Sequence, residues 1–388
     1  MRLAALLMTL ATPLAAQECG LPVPDFKTAL REEALAMGIP AASADAILSD
    51  ARIDDAVLAA DRAQGVFQLD FITFSRRLIS ASRIDAGRAM ADRFDATFDA
   101  IASQYGIPRE VLLAFWAFET DYGAIQGDFN TRDALFTLAH DCRRPELFRP
   151  ELLALMQLHA RGDVDLATTG AWAGEIGQVQ MLPRDIIAHG RDGDGDGRVD
   201  LKGSAADALV SAADLLSALG WHGGQPALVE VSVPQALDWA KTGLNHPASA
   251  ADWQALGVTG RTAPLPDLPG AVILPMGRNG PAFMTYPNFA VYFEWNQSFT
   301  YVLTAAYFAT RLGGAPVYDA GNPEPGLSGE QMIALQERLS ALGHDVAAST
   351  ASWASGRARR CRSNRSVLAC RRTPGPRRSC CHGSDGHK

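Results

Sequence analysis

Long apolar runs, positive charge and cysteine are all scarce in this chain. No segment is long and apolar enough to span a bilayer. Lysine and arginine number 35 against 43 aspartates and glutamates, a formal net charge of -8. A general affinity for nucleic acid or for an anionic membrane surface is therefore not indicated. Four of the six cysteines fall after residue 360, which leaves only Cys19 and Cys142 in the body of the chain. What remains is ordinary globular composition, 47% hydrophobic and 20% charged over 388 residues, enough for more than one domain.

The N-terminus reads as a secretory leader over residues 1–16. Arg2 gives a positive start, Leu3 to Leu14 a short apolar stretch broken by Pro13, and Ala15-Ala16 small residues for cleavage before Gln17. Cys19 lacks a Leu-Ala-Gly-like approach, so a lipid anchor is not expected, and the mature protein is expected in the periplasm. Export implies an oxidising compartment, where a Cys19–Cys142 disulfide closing a long loop is the natural reading; two separately buried thiols are the alternative.

The chain is expected to be mainly α. Apolar residues recur at helical spacing from about Asp25 to His222, punctuated by stops such as Gly38-Ile39-Pro40 and Tyr105-Gly106-Ile107-Pro108. Gln225 to Pro287 is rich in Pro, Gly and short apolar runs, suggesting loops and short strands at Leu228–Val231 and Ala271–Leu274. Tyr292 to Leu312 reads as helix again, and Gly313 to Gly326 as a linker, most clearly over 321–326. A further helix is expected to start at an N-cap Ser328, with Met332, Leu335, Leu339 and Leu342 on one stripe and Gly343 as its end. Residues 347–388 crowd arginine with cysteine and have almost no apolar periodicity, so they cannot bury enough surface to fold. They read either as a basic arm or as sequence not under selection.

Three stretches carry chemistry. In Pro108–Gly123 (PREVLLAFWAFETDYG) the helix is apolar almost all round and Glu119 sits near its end. Phe115 and Trp116, four and three residues back, can flank the carboxyl. A carboxylate there is disfavoured when charged, its pKa rises, and it becomes the acid a glycosidase needs; a helix-end Glu facing water is the bland alternative. In Gly170–Pro183 the glycines allow a ligand close to the backbone, Gln178 and Gln180 can bond sugar hydroxyls or amides, and Trp172 can stack on a sugar ring. The same stretch also reads as a tight helix junction. In Asp192–Asp200 the carboxylates of Asp192, Asp194 and Asp196 alternate, with Gly197 at the turn, like the first half of a calcium loop. The Arg198 carbonyl and Asp200 extend the set, and since Gly203 stands at the twelfth position, Asp207 from the next helix is expected to close it. A solvated acidic turn is the weaker reading.

In this order the stretches resemble the lytic murein transglycosylase B family, the family 103 glycoside hydrolases. The resemblance runs from about Phe67 to Ala320. It includes Ser82-Arg83-Ile84 with Gly87-Arg88, Phe118-Glu119-Thr120, Arg143-Arg144 with Leu147-Phe148-Arg149, Trp172 to Pro183, the aspartate loop and Trp295-Asn296-Gln297-Ser298. It implies a catalytic region over 17–320 with a lysozyme-like helical core, an additional helical domain and a structural calcium. It implies cleavage of the β-1,4 bond between N-acetylmuramic acid and N-acetylglucosamine in peptidoglycan strands. Glu119 matches the family's catalytic acid/base, Gln180 its active-site glutamine, and Asn296, Ser298 and Tyr301 its late motif. Two positions depart from it: Ala171 stands where many members have serine, and Glu175 where many have alanine. Glu175 raises the question of a second carboxylate. Residues 327–346 also resemble the first helix of the common peptidoglycan-binding module, whose remainder is missing.

Overall fold

The computed structural model describes residues 20–63 and 69–343. The expected leader, Cys19 and the tail from 344 onward lie outside the described residues. Cys142 is disulfide-bonded.

The architecture is mainly helical. Three helices come first: α1 (Val23–Ala36), α2 (Ala41–Ser49) and α3 (Asp55–Arg62). Then follow α4 (Phe71–Leu78), α5 (Ala81–Arg93), α6 (Asp95–Tyr105) and α7 (Arg109–Thr120). A two-residue strand β1 (Phe129–Asn130) leads into α8 (Thr131–His140) and α9 (Pro145–Arg161), and β2 (Thr169–Gly170) returns to pair antiparallel with β1. After α10 (Pro183–His189) and α11 (Ala205–Ala218) come β3 (Leu228–Ser232), α12 (Ala250–Ala255), β4 (Thr259–Gly260), β5 (Ala271–Ile273) and β6 (Ala282–Thr285). The described chain ends with α13 (Pro287–Trp295), α14 (Phe299–Leu312) and α15 (Gly329–Ala341).

One large apolar core holds these helices together. Helices α1 and α2 pack on α9, α3 on α8, and α8 and α9 run along each other. The centre of the other half is α7, buried from Val111 to Ala117 and packed against α5, α6, α11 and α14. A helix with no polar face must be surrounded on all sides, and that is how α7 sits. A second, smaller core forms where Val231, Trp253, Val272 and Met284 meet under the antiparallel sheet β4-β3-β6-β5. The strands fall where Leu228–Val231 and Ala271–Leu274 predict them.

Two expectations are corrected. Tyr292 to Leu312 is not one helix, because Asn296 and Ser298 break it into α13 and α14. The Asn296 side chain accepts the Ser298 N–H at 2.9 Å, a local turn that competes with the helix ladder, and Ser298 then caps α14. Nor is Gly313 to Gly326 linker throughout. Tyr318 is buried against Phe71 and Tyr307, and the Asn322 N–H donates to the Asn279 carbonyl. The packed body therefore runs to residue 322. Beyond it, α15 opens at Ser328 in a capping box with Gln331, as the sequence predicts. No helix among the described residues is long and apolar enough to cross a membrane.

Candidate active site

Glu119 lies in the last turn of α7, one residue before its end. The surrounding helix is sealed into the core, so the carboxyl is half-buried, with Phe115, Trp116 and Phe118 preceding it on its own helix. Two donors meet it from a distant part of the chain. The Tyr301 hydroxyl donates to Oε1 at 2.5 Å and the Trp295 indole N–H to the same oxygen at 2.9 Å. Trp295 is the last residue of α13 and Tyr301 lies in the first turn of α14. The Asn296–Ser298 turn thus brings two donors from two helices onto one atom. Trp295 also lies against Phe115, ring centroids 4.5 Å apart.

Burial pushes the Glu119 carboxyl up from its ordinary 4.5 to about 7. The bonds from Tyr301 and Trp295 pull it down, and the nearby charge of Glu175 adds to the rise. Desolvation wins because the anion gives up water for two donors only. Burial also holds the Tyr301 phenol well above its usual value, so it remains a donor at any working pH.

Among the described residues, three non-glycine residues have left-handed backbone, and all flank this site: Asp121 (φ 52) and Tyr122 (φ 61) just after α7, and Gln180 (φ 54) in the loop after β2. Such conformations persist only where surrounding contacts over-determine them. Here Thr120 Oγ1 donates to the Gln178 carbonyl at 2.5 Å and accepts the Gly123 N–H at 2.9 Å, tying the two loops. The Gln180 side chain donates to the Gln126 and Gly177 carbonyls. On the far side, Arg83 of α5 pairs with Asp121, and Tyr122 donates to the Arg83 carbonyl.

The aspartate loop is joined to the same wall. One oxygen each of Asp192, Asp194 and Asp196 lies within 4.8 Å of the others. Asp207 Oδ1 accepts the Gly193 and Asp194 N–H groups and Oδ2 that of Asp200, which shapes the loop from the buried first turn of α11. The chain then passes directly to Leu201 and Lys202. The Gln178 N–H donates to the Leu201 carbonyl, and the Gln178 and Gln126 amides both donate to the Lys202 carbonyl. Two cavities, of about 410 and 650 Å³, lie around α12 and β4 and include none of these residues.

Residues 23–310 match the transglycosylase SLT domain. The chain belongs to the transglycosylase SLT family. It is 33% identical to SltB3 from Pseudomonas aeruginosa, solved in complex with NAG-NAM-pentapeptide, with a TM-score of 0.80 over 86% of this chain and 91% of that one. It is 28% identical over 162 residues to the membrane-bound lytic murein transglycosylase B of Escherichia coli K12, a stretch covering 41% of this chain and 44% of that relative. The fold is shared with the Escherichia coli lytic transglycosylase Slt35, solved in complex with calcium: 23% identity, a TM-score of 0.63, 74% of this chain and 92% of that chain. The mainly α, lysozyme-like fold expected from the resemblance is the one observed.

In this SLT-family chain the residues expected at the site divide into groups. Glu119 and Tyr301 are in direct contact, while Asn296 and Ser298 build the junction behind Tyr301. Gln180 and Trp172 are half-buried in the loop after β2, and neither hydrogen-bonds to Glu119. Gln178 stands as an internal brace. It is 6% exposed, and its amide accepts from the Trp116 indole at 3.1 Å and donates to the Lys202 carbonyl. The glycines also differ from expectation, for a Cβ at Gly170 would meet the Glu175 carbonyl at 2.0 Å and one at Gly177 the Leu201 carbonyl at 2.5 Å. They admit the protein's own backbone rather than a ligand. Asp207 lies in the first turn of α11 and braces the loop by accepting N–H groups, outside the three carboxylates that converge, and Asp200 accepts from Lys202 and Gly203. Glu175 lies in the loop and not in a helix, close enough to Glu119 to raise it. Sequence reasoning gave no role to Trp295, 176 positions from Glu119, because nothing local signals so distant a contact.

The raised carboxyl makes stability depend on pH. Folded Glu119 holds its proton to about 7 and the unfolded residue only to about 4.5. The linked stabilisation is complete below pH 4.5 and is lost as pH rises through 7. In Glu119→Gln the amide oxygen can still accept both donors, but no charge develops. The variant should therefore be more stable than wild type by on the order of 2 kcal/mol at pH 8, with the gap closing by pH 4. Urea unfolding at both values checks this; a gap independent of pH would contradict the buried-acid reading.

Proposed function

We propose that the protein is a lytic transglycosylase that cleaves the β-1,4 bond between N-acetylmuramic acid and N-acetylglucosamine in peptidoglycan and leaves 1,6-anhydromuramoyl ends. The observation that carries this is Glu119, half-buried, held near pKa 7 and bonded on one oxygen only. With Oε1 occupied twice, Oε2 is the atom that carries the proton. Neutral Glu119 donates it to the glycosidic oxygen, and the C1–O bond breaks. The developing oxocarbenium centre is stabilised by the sugar's own N-acetyl group. Ionised Glu119 then takes the proton of the C6 hydroxyl as that oxygen attacks C1. The proton lost in the first step is regained in the second, and no water is consumed. The SltB3 complex with NAG-NAM-pentapeptide supports the same substrate class here.

A second reading is a muramidase that hydrolyses the same bond with Glu175 as second carboxylate, favoured by the electrostatic effect of Glu175 on Glu119. A non-catalytic, calcium-dependent wall-binding protein is the third. Glu119→Gln should abolish release of anhydromuropeptides from purified peptidoglycan while leaving binding measurable, since an amide cannot deliver and retrieve a proton. Glu175→Gln should retain most activity. Mass analysis separates the readings, because an anhydro end is one water lighter than a reducing end. Reducing ends, or equal collapse of both variants, would favour the muramidase; binding with no product from wild type would favour the third.

We also assign the aspartate loop a structural calcium ion. The donors are all oxygen, three carboxylates converge, and a cation relieves their repulsion. Asp192, Asp194 and Asp196 would hold it with the Arg198 carbonyl, with Asp200 directly or through water and Asp207 closing the site. The Leu201–Lys202 carbonyls pass its effect to the wall of the site, so it has no part in the chemistry. Calcium a hundredfold above its dissociation constant should add about 2.7 kcal/mol to stability. Chelator should lower Tm, and Asp194→Ala should abolish the response to calcium. A Tm indifferent to both chelator and calcium would mark an acidic turn. Periplasmic location rests on the leader at 1–16, a Cys19–Cys142 pairing on the bonded Cys142, and a partial wall-binding module on α15.

A further inference from the structure

Trp295 has no polar task in the core. Its ring lies against Phe115 at 4.5 Å, itself tilted against Tyr292 at 4.8 Å, and its single donor reaches the catalytic carboxyl. The ring stack fixes the plane of the indole, so the direction of the N–H is set by α7 and α13 together. Tyr301 approaches from α14 and donates to the same oxygen. The two donors are placed by the Asn296 turn, which sets where α13 stops and α14 starts.

We propose that Trp295 is a positioning residue: its indole N–H, together with Tyr301, holds Oε1 of Glu119 so that the catalytic proton resides on Oε2. This rests on the reading of Glu119 as the acid. A carboxylic acid has one carbonyl oxygen and one hydroxyl. Two donors on Oε1 make it the carbonyl oxygen, because a proton there would face the indole N–H, which cannot accept, and would force the Tyr301 hydroxyl to give up its donation. Losing one donor has two effects. The proton is no longer confined to one oxygen, so fewer molecules present it to the substrate. The anion also loses half of its hydrogen bonds, so the acid is weakened.

The groups that bear on Glu119 are Tyr301 from α14, Trp295 from α13 and Glu175 from the loop after β2. Tyr292 of α13 faces Tyr301, and Arg83 of α5 is engaged by Asp121. Removing the Trp295 donor leaves burial and Glu175, both of which raise the carboxyl, opposed by Tyr301 alone.

Two substitutions test this. Trp295→Phe deletes the N–H but shrinks the ring. Replacing Trp295 by β-(3-benzothienyl)alanine exchanges N–H for sulfur and keeps the ring on Phe115. The basic limb of kcat/KM on purified peptidoglycan, which reports loss of the Glu119 proton, should move to higher pH by about one unit in both variants. The rate at pH 6 should fall about tenfold. The ¹³C shift of the Glu119 carboxyl should give the same displacement of its titration without any turnover. A benzothienyl variant with the wild-type midpoint would overturn the proposal, whether its rate is kept or lost, since Trp295 would then act by packing alone. Wild-type protein that releases no product would instead refute the proposed function, and the ¹³C titration would still decide the role of Trp295.

Discussion

A carboxyl group is held where it is costly to ionise, and one of its oxygens receives two hydrogen bonds. That constraint organises the rest of the molecule. To desolvate Glu119, α7 must be apolar all round and enclosed by α5, α6, α11 and α14. To bring Trp295 and Tyr301 to the same oxygen, the chain must break α13 from α14 at Asn296–Ser298 rather than continue a helix that both flanking sequences favour. Without the burial the group would be an ordinary carboxylate at neutral pH, and without the two donors the proton would have no preferred oxygen.

The loop after β2 and the aspartate loop form the supporting shell. Gln178 sits where they meet, bonded to Trp116 and to the Leu201–Lys202 backbone, while Thr120 bonds its carbonyl. The left-handed Asp121, Tyr122 and Gln180 lie within this web, and the web is what keeps them there. A cation at Asp192, Asp194 and Asp196 would act on the acid only indirectly, through the Leu201–Lys202 carbonyls and Gln178. Asp207 already shapes that loop by accepting N–H groups, so folding prepares the site before any ion binds.

Much of this was legible in the sequence because it is local. The buried α7 follows from its unbroken apolar run, the short strands from runs bounded by Pro and Gly, the α15 cap from Ser328, and the acidity of Glu119 from Phe115 and Trp116 nearby. The parts that were not legible depend on contacts far apart in the chain. Gln178 has the residue type of a sugar ligand, and only the fold shows it bracing Trp116 and the Lys202 carbonyl. The glycines at 170 and 177 admit backbone rather than ligand because the Glu175 and Leu201 carbonyls approach them. Asp207 is spaced as a ligand, and only the fold shows it accepting the N–H groups of Gly193, Asp194 and Asp200 from the first turn of α11. Trp295 reads as one residue of a motif until the fold places it on Glu119.

The most direct test of this account is the position of one proton. A neutron structure of the deuterated protein at pH 6, below the value of about 7 that burial gives Glu119, should show deuterium on Oε2. It should also show the Trp295 and Tyr301 deuterons pointing at a bare Oε1. A Glu119 with deuterium on neither oxygen, or with its deuterium on Oε1, would contradict it.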